Sequence, residues 1–73
     1  NMALYATKLS ERKQLTYALK HNRSGYLQVV AGEVEVNHQH LNAGDAALFV
    51  DGEAIEITAI KAAEMLLFDL PPA

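Results

Sequence analysis

The chain has no cysteine among its 73 residues, which excludes disulfides and thiolate-held zinc as means of stabilising it. It has no basic surplus. Six Lys and Arg stand against nine Asp and Glu, a net charge of −3, and the positive residues are scattered apart from Arg12-Lys13 and Lys20-His21-Asn22-Arg23. Neither nucleic acid nor an anionic membrane surface finds an electrostatic footprint here. No apolar run approaches the ~20 residues that cross a bilayer, and no charged-then-apolar leader precedes a small-residue cleavage site. A cytoplasmic protein with no nucleic-acid or membrane partner is therefore expected. Internal repeats and low-complexity tracts are absent too, as is the G-x-S-x-G turn that would give Ser10 and His21 a place in a hydrolase triad.

What is present is apolar content and short-range alternation. A hydrophobic share of 51% is too high for disorder. The length allows one domain, residues 1–73, whose core supplies no more than about 3–5 kcal/mol net. The organising stretch is Tyr26 to Asp45. It reads as a strand to Ala31, a pivot at Gly32, a second strand from Glu33 to Val36, a two-residue turn at Asn37-His38 and a return strand from Gln39 to Leu41. Val34 and Val36 alternate with Glu33 and Glu35, the pattern of a half-buried strand.

Around it, Leu4 to Leu9 and Gln14 to Lys20 alternate as two further strands, joined by the polar Ser10-Glu11-Arg12-Lys13 and followed by a loop from His21 to Gly25. Ala46 to Val50 is apolar on both faces, and Asp51-Gly52 is a turn dipeptide. Ile55 to Ile60 and Glu64 to Leu70 read as strands separated by Lys61-Ala62, ended by Pro71-Pro72, which can donate nothing to a ladder. Good helix formers between Ile60 and Phe68 compete, but the Ile-rich run before them calls for a paired neighbour. Seven or eight short antiparallel strands at even spacing predict a small all-β sandwich or barrel.

The run Tyr-Leu-Gln-Val-Val-Ala-Gly at 26–32, Ala43-Gly44-Asp45-Ala46, Ile55-Glu56-Ile57-Thr58-Ala59 and Leu66-Leu67-Phe68-Asp69-Leu70, with Leu4-Tyr5-Ala6 at the start, together resemble a cupin. The particular likeness, over nearly the whole chain, is to the C-terminal cupin half of the pirin-like bicupins, which include proteins with quercetin 2,3-dioxygenase activity. The resemblance implies a jelly-roll barrel. In metal-binding cupins three imidazoles and a carboxylate converge inside it, a donor set suited to first-row transition metals. Aligned on Gly32, the first cupin motif puts its carboxylate on Gly25 and its imidazoles on Leu19 and His21. Aligned on Gly44 and Gly52, the second puts its imidazole on Ile55. Leu19, Gly25 and Ile55 offer no metal donor, so no cofactor is expected in this chain. In the family the metal belongs to the N-terminal half.

Three readings follow. The first is a metal-free cupin domain with a supporting role, not itself catalytic, whose parent is an oxidoreductase of the quercetin 2,3-dioxygenase type. The second is a stand-alone cupin binding a small apolar or aromatic molecule in its lumen, with Tyr17, Tyr26 or Gln28 making the polar contacts. The third is a metal-dependent dioxygenase using His21, His38 and His40. Against the third, the turn at Asn37-His38 places Glu35 opposite His40 and leaves His38 in the turn, so these imidazoles would not converge. His21 reads as a polar residue at a loop edge. Asp45 and Asp51 sit beside glycines as acceptors for turn amides, and Glu33, Glu35, Glu53 and Glu56 read as solvated outward residues.

The expected lumen is Leu19, Leu27, Val29, Val34, Val36, Leu41, Leu48, Ile55, Ile57, Ala59, Leu66 and Phe68. Val30, Phe49, Ile60, Met65 and Leu67 would then lie outside. Apolar residues on both faces imply cover on both, so a partner is expected: an N-terminal cupin domain or a second copy of this chain.

Overall fold

The computed structural model describes residues 2–72. Six strands run in the order β1 (Ala3–Leu9), β2 (Gln14–Ala18), β3 (Ser24–Val36), β4 (Gln39–Asn42), β5 (Ala46–Phe49) and β6 (Ala54–Leu70). All pairings are antiparallel. The count is six rather than seven or eight because two pairs of expected strands are continuous. β3 runs through the Gly32 pivot and β6 through Lys61-Ala62, which is no turn. The stretch from Ile60 to Phe68 is strand, not helix.

These two long strands pair with each other along their length and organise everything else. The N-terminal half of β3 and the C-terminal half of β6 lie between β5 and β1, with Tyr26 opposite both Leu48 and Phe68, and Leu4 opposite Phe68. The other halves lie between β4 and β2, with Val34 opposite Leu41 and Ala59, and Leu15 opposite Ile57. The result is two four-stranded wings that share their central strands. Their inner faces meet in one hydrophobic cluster that joins Leu27, Val29, Phe49, Met65 and Leu67 of the first wing to Val34, Val36, Leu41, Ile55 and Ile57 of the second.

The bend between wings lies at Gly32. Its φ is +83°, and a Cβ there would stand 2.1 Å from the carbonyl oxygen of Ala62, so only glycine lets β3 cross β6 so closely. Irregular pairing brackets the crossing. Between the pairs Val29–Met65 and Val34–Ala59, β6 carries one residue more than β3. β3 therefore changes phase, burying Leu27 and Val29 before the bend and Val34 and Val36 after it. β6 does not: Ile55, Ile57, Ala59, Ala63, Met65 and Leu67 all face the core.

That constant phase corrects part of the expected lumen. Leu66 and Phe68 face outward and Met65 and Leu67 inward. In β5, where alternation carried no information, Phe49 is buried and Leu48 is 64% exposed. Val30 and Ile60 are exposed as expected, and the remaining lumen residues are buried.

Candidate functional site

The three positions that a cupin would furnish with ligands come together in the core. Leu19 closes the segment after β2, Gly25 lies near the start of β3, and Ile55 near the start of β6. All three are buried. A Cβ at Gly25 would stand 3.1 Å from Ile55 Cδ1, 3.7 Å from Leu19 Cδ1 and 3.7 Å from Phe49 Cβ. Hydrocarbon fills the place, with no lone pair offered, so these residues do not fit a metal ion. Among the described residues no group of three or more His, Asp or Glu is placed to hold one.

The histidines are apart from this centre and from one another. His21 stands in the β2–β3 loop, its side chain 78% exposed and Nδ1 2.9 Å from Asp51 Oδ1. The same carboxylate accepts the Asn22 amide at 3.0 Å, so Asp51 ties two loops together, while Asp45 accepts the Asn42 amide within its own turn at 2.8 Å. His38 occupies the β3–β4 turn with φ +69°, after Asn37 at +48°, the left-handed pair of a two-residue hairpin. The register is the expected one, Val36 opposite Gln39 and Glu35 opposite His40. His40 Nε2 nevertheless meets Glu33, the diagonal neighbour, not Glu35. Glu33 is also 3.7 Å from Lys61 Nζ. Glu33 is thus a half-buried ion-pairing residue, not a solvated one, because the crossing of β3 and β6 draws it toward Lys61.

Tyr17 is set apart from Tyr26 and Gln28. It packs against the core on β2, whereas Tyr26 and Gln28 lie on the outer face of the first wing. Tyr26 meets Phe68 edge-on at 5.9 Å between centroids, and Gln28 Nε2 donates to the Asp45 carbonyl at 3.1 Å. The three side chains therefore do not share one site. Surface depressions of about 270 and 300 Å³ lie elsewhere, one lined by Lys8, Ala31 and Glu64 beside the bend, the other by Gln14, Thr16 and Glu56 on the second wing.

Sequence reasoning missed a polar centre beside the filled core. Asp69, on β6, is buried. Tyr17 OH donates to its Oδ2, Arg23 Nε donates to its Oδ1 at 2.5 Å and Arg23 Nη2 to its carbonyl oxygen at 3.2 Å. Burial pushes the Asp69 carboxyl upward, but hydrogen bonds from Tyr17 and Arg23, with the charges of Arg23 and Lys20, outweigh it and hold the group below its ordinary value. The bond to Asp69, then burial and the neighbouring Tyr5 hydroxyl, drive the Tyr17 phenol far above its ordinary value. Tyr17 and Arg23 lie 52 and 46 positions from Asp69. No local pattern signals such a pairing.

The outer faces of the two wings differ in kind. Leu4, Phe68, Tyr26 and Leu48 form one row across all four strands of the first wing. Leu4 is 52% and Leu48 64% exposed. The second wing turns Thr16, Glu56, Thr58, Glu35 and His40 outward. No helix of the described residues is long and apolar enough to cross a membrane.

Comparison with known proteins agrees with this architecture. The pattern of the family described as the quercetinase C-terminal cupin domain matches residues 1–70. A pirin-like protein of Caulobacter vibrioides is 54% identical over 54 residues, covering 74% of this chain and 23% of that protein. A quercetin 2,3-dioxygenase of Escherichia coli is 36% identical over 72 residues, 99% of this chain and 31% of that one. The crystal structure of the bacterial pirin YhhW from Escherichia coli in complex with nickel(II) superposes with a TM-score of 0.96 at 36% identity, covering 100% of this chain and 32% of that chain. The chain spans less than a third of the length of each.

Proposed function

Because this chain belongs to the quercetinase C-terminal cupin domain family of pirin-like proteins, we propose that it serves as a metal-free supporting cupin, a wall for a longer protein whose chemistry is carried elsewhere. The observation that carries the reading is the packing of Leu19, Ile55 and Phe49 around Gly25. A carboxylate side chain at Gly25 would need space that the carbon of Ile55, Leu19 and Phe49 already fills, and Leu19 and Ile55 themselves offer no donor atom. The name of the Escherichia coli relative, quercetin 2,3-dioxygenase, supplies an activity for the parent, and the part of such a protein not represented here is where its metal would be held. A cytoplasmic setting fits a chain without cysteine.

The partner in this reading is the rest of that longer chain, an N-terminal cupin domain. The apolar row Leu4, Phe68, Tyr26 and Leu48 is its contact surface. Exposed apolar residues that are contiguous, not scattered, mark association sites, and the second wing offers no comparable row. A second copy of this chain would use the same face when the rest is absent.

Counting metal per chain tests the first part. Protein purified without a metal-affinity step should carry no stoichiometric transition metal and show no quercetin dioxygenation, and one firmly bound ion per chain would overturn the proposal. Light scattering tests the second. The isolated chain should self-associate at micromolar concentration and do so less in Leu48→Lys, whereas a well-behaved monomer would remove the contact surface.

A further inference from the structure

We propose that Arg23 and Tyr17 form a preorganised cradle for a carboxylate, that Asp69 is its built-in occupant, and that the assembly latches the two wings together along the seam between β1 and β2. The seam is open as far as backbone bonding goes. β1 and β2 each ladder to β6, one to its C-terminal and the other to its N-terminal half. What crosses between them is side chain. The rings of Tyr5 on β1 and Tyr17 on β2 lie 5.4 Å apart, and the Tyr17 hydroxyl continues past Tyr5 to Asp69 in the first wing.

The geometry is that of a site built for a carboxylate. Each oxygen of Asp69 has its own donor, a phenol on Oδ2 and a guanidinium on Oδ1, and the guanidinium also takes the main-chain carbonyl of the same residue. The donors come from different elements, β2 and the segment entering β3, so the carboxylate is the point at which three parts of the chain are joined. Side-chain exposure is 19% for Arg23 and 8% for Asp69, so both charges are largely withdrawn from water and the buried carboxylate depends on its donors. Tyr5 and Lys20 also bear on the pair.

Placement adds to this. Asp69 lies opposite Gly25 and Tyr17 opposite Ile55, so the latch stands beside the filled centre and cross-links the same strands that the ligand positions of a cupin would connect. A free carboxylate has no access while Asp69, delivered by its own strand, fills the cradle at high effective concentration. Removal of that side chain leaves the Arg23 Nε and Tyr17 hydroxyl donors that held it facing a hole of carboxylate size. The chemical class that fits it is a small monocarboxylate such as formate or acetate.

The test is chemical rescue. Thermal melts of wild type, Asp69→Ala and the double variant Asp69→Ala/Arg23→Gln are compared in sodium formate and in sodium chloride of equal ionic strength. Formate at several times its Kd should raise the melting temperature of Asp69→Ala by about 4–8 °C relative to chloride, and should give no such difference in the other two. A folded Asp69→Ala with the same melting temperature in both salts overturns the cradle. Hydrogen exchange of Tyr17→Phe, which removes one donor and keeps the ion pair, decides the matter should Asp69→Ala not fold. Loss of a bond to a charged acceptor should speed exchange in β2 about tenfold or more, with the β3–β4 hairpin unaffected. Uniform exchange across the two regions overturns the latch.

Discussion

Ile55 Cδ1 occupies the space that a side chain at Gly25 would need: a Cβ there would approach it to 3.1 Å. One residue supplies the bulk and the other the room. Ile55→Ala should cost about 2–5 kcal/mol, since the rigid surroundings of β2, β3 and β6 collapse only partly into the void. Against a core worth about 3–5 kcal/mol net, that removes most of the stability. Urea unfolding should record a lower midpoint with little change in slope.

Gly32 should tolerate no side chain. Its φ of +83° is the lesser obstacle, and the Ala62 carbonyl oxygen 2.1 Å from a built Cβ is the greater. Left-handed backbone alone costs an L-residue roughly 1–2 kcal/mol, and parting β3 from β6 at the crossing adds to it. Gly32→Ala is expected to leave the chain largely unfolded at 25 °C, with the strand signal lost in far-ultraviolet circular dichroism.

Features legible from the sequence were those set by neighbours in sequence or by fixed spacing. Asn37-His38 dictates its hairpin register through turn geometry alone, and motif spacing brings Leu19, Gly25 and Ile55 to one place. Parity was lost where alternation says nothing, as in Ala46-Ala47-Leu48-Phe49-Val50, apolar on both faces. It was also lost at Lys61-Ala62, which looks like a connection but is where β6 passes under the Gly32 bend without changing phase. The Tyr17–Asp69–Arg23 centre was illegible for a different reason: it is assembled by topology from residues whose local contexts are unremarkable.

Acid should weaken the fold through Asp69. Its folded value lies below its unfolded one, so in the interval between them the unfolded state binds more protons. The contribution is fully present above the ordinary carboxylate range near about pH 4 and is lost as pH falls through the folded value. Tyr17 carries the opposite sign. Its folded value is raised above the ordinary 10.0, so its contribution is complete below about pH 10 and is lost as pH climbs through the folded value. Unfolding curves recorded across pH should show a shallower acid limb in Asp69→Asn and a shallower alkaline limb in Tyr17→Phe.

The contact between the exposed His40 ring and Glu33 should matter little. Cross-strand polar pairs of this kind contribute roughly 0.2–1 kcal/mol. His40→Ala should lower the urea midpoint only slightly, by far less than Ile55→Ala.

β6 is the sixth of six strands in chain order, yet β1, β2 and β3 all find their partner in it. During synthesis β1 and β2 therefore wait unpaired, and the β3–β4–β5 unit lacks its central partner, until residues 54–70 leave the ribosome. The β3–β4 hairpin can form early, but closure of the two wings requires nearly the whole domain and proceeds through pairings distant in sequence, the slow kind. The nascent chain has a long interval of vulnerability to aggregation, and a premature stop within β6 would forfeit the entire barrel, not one edge of it.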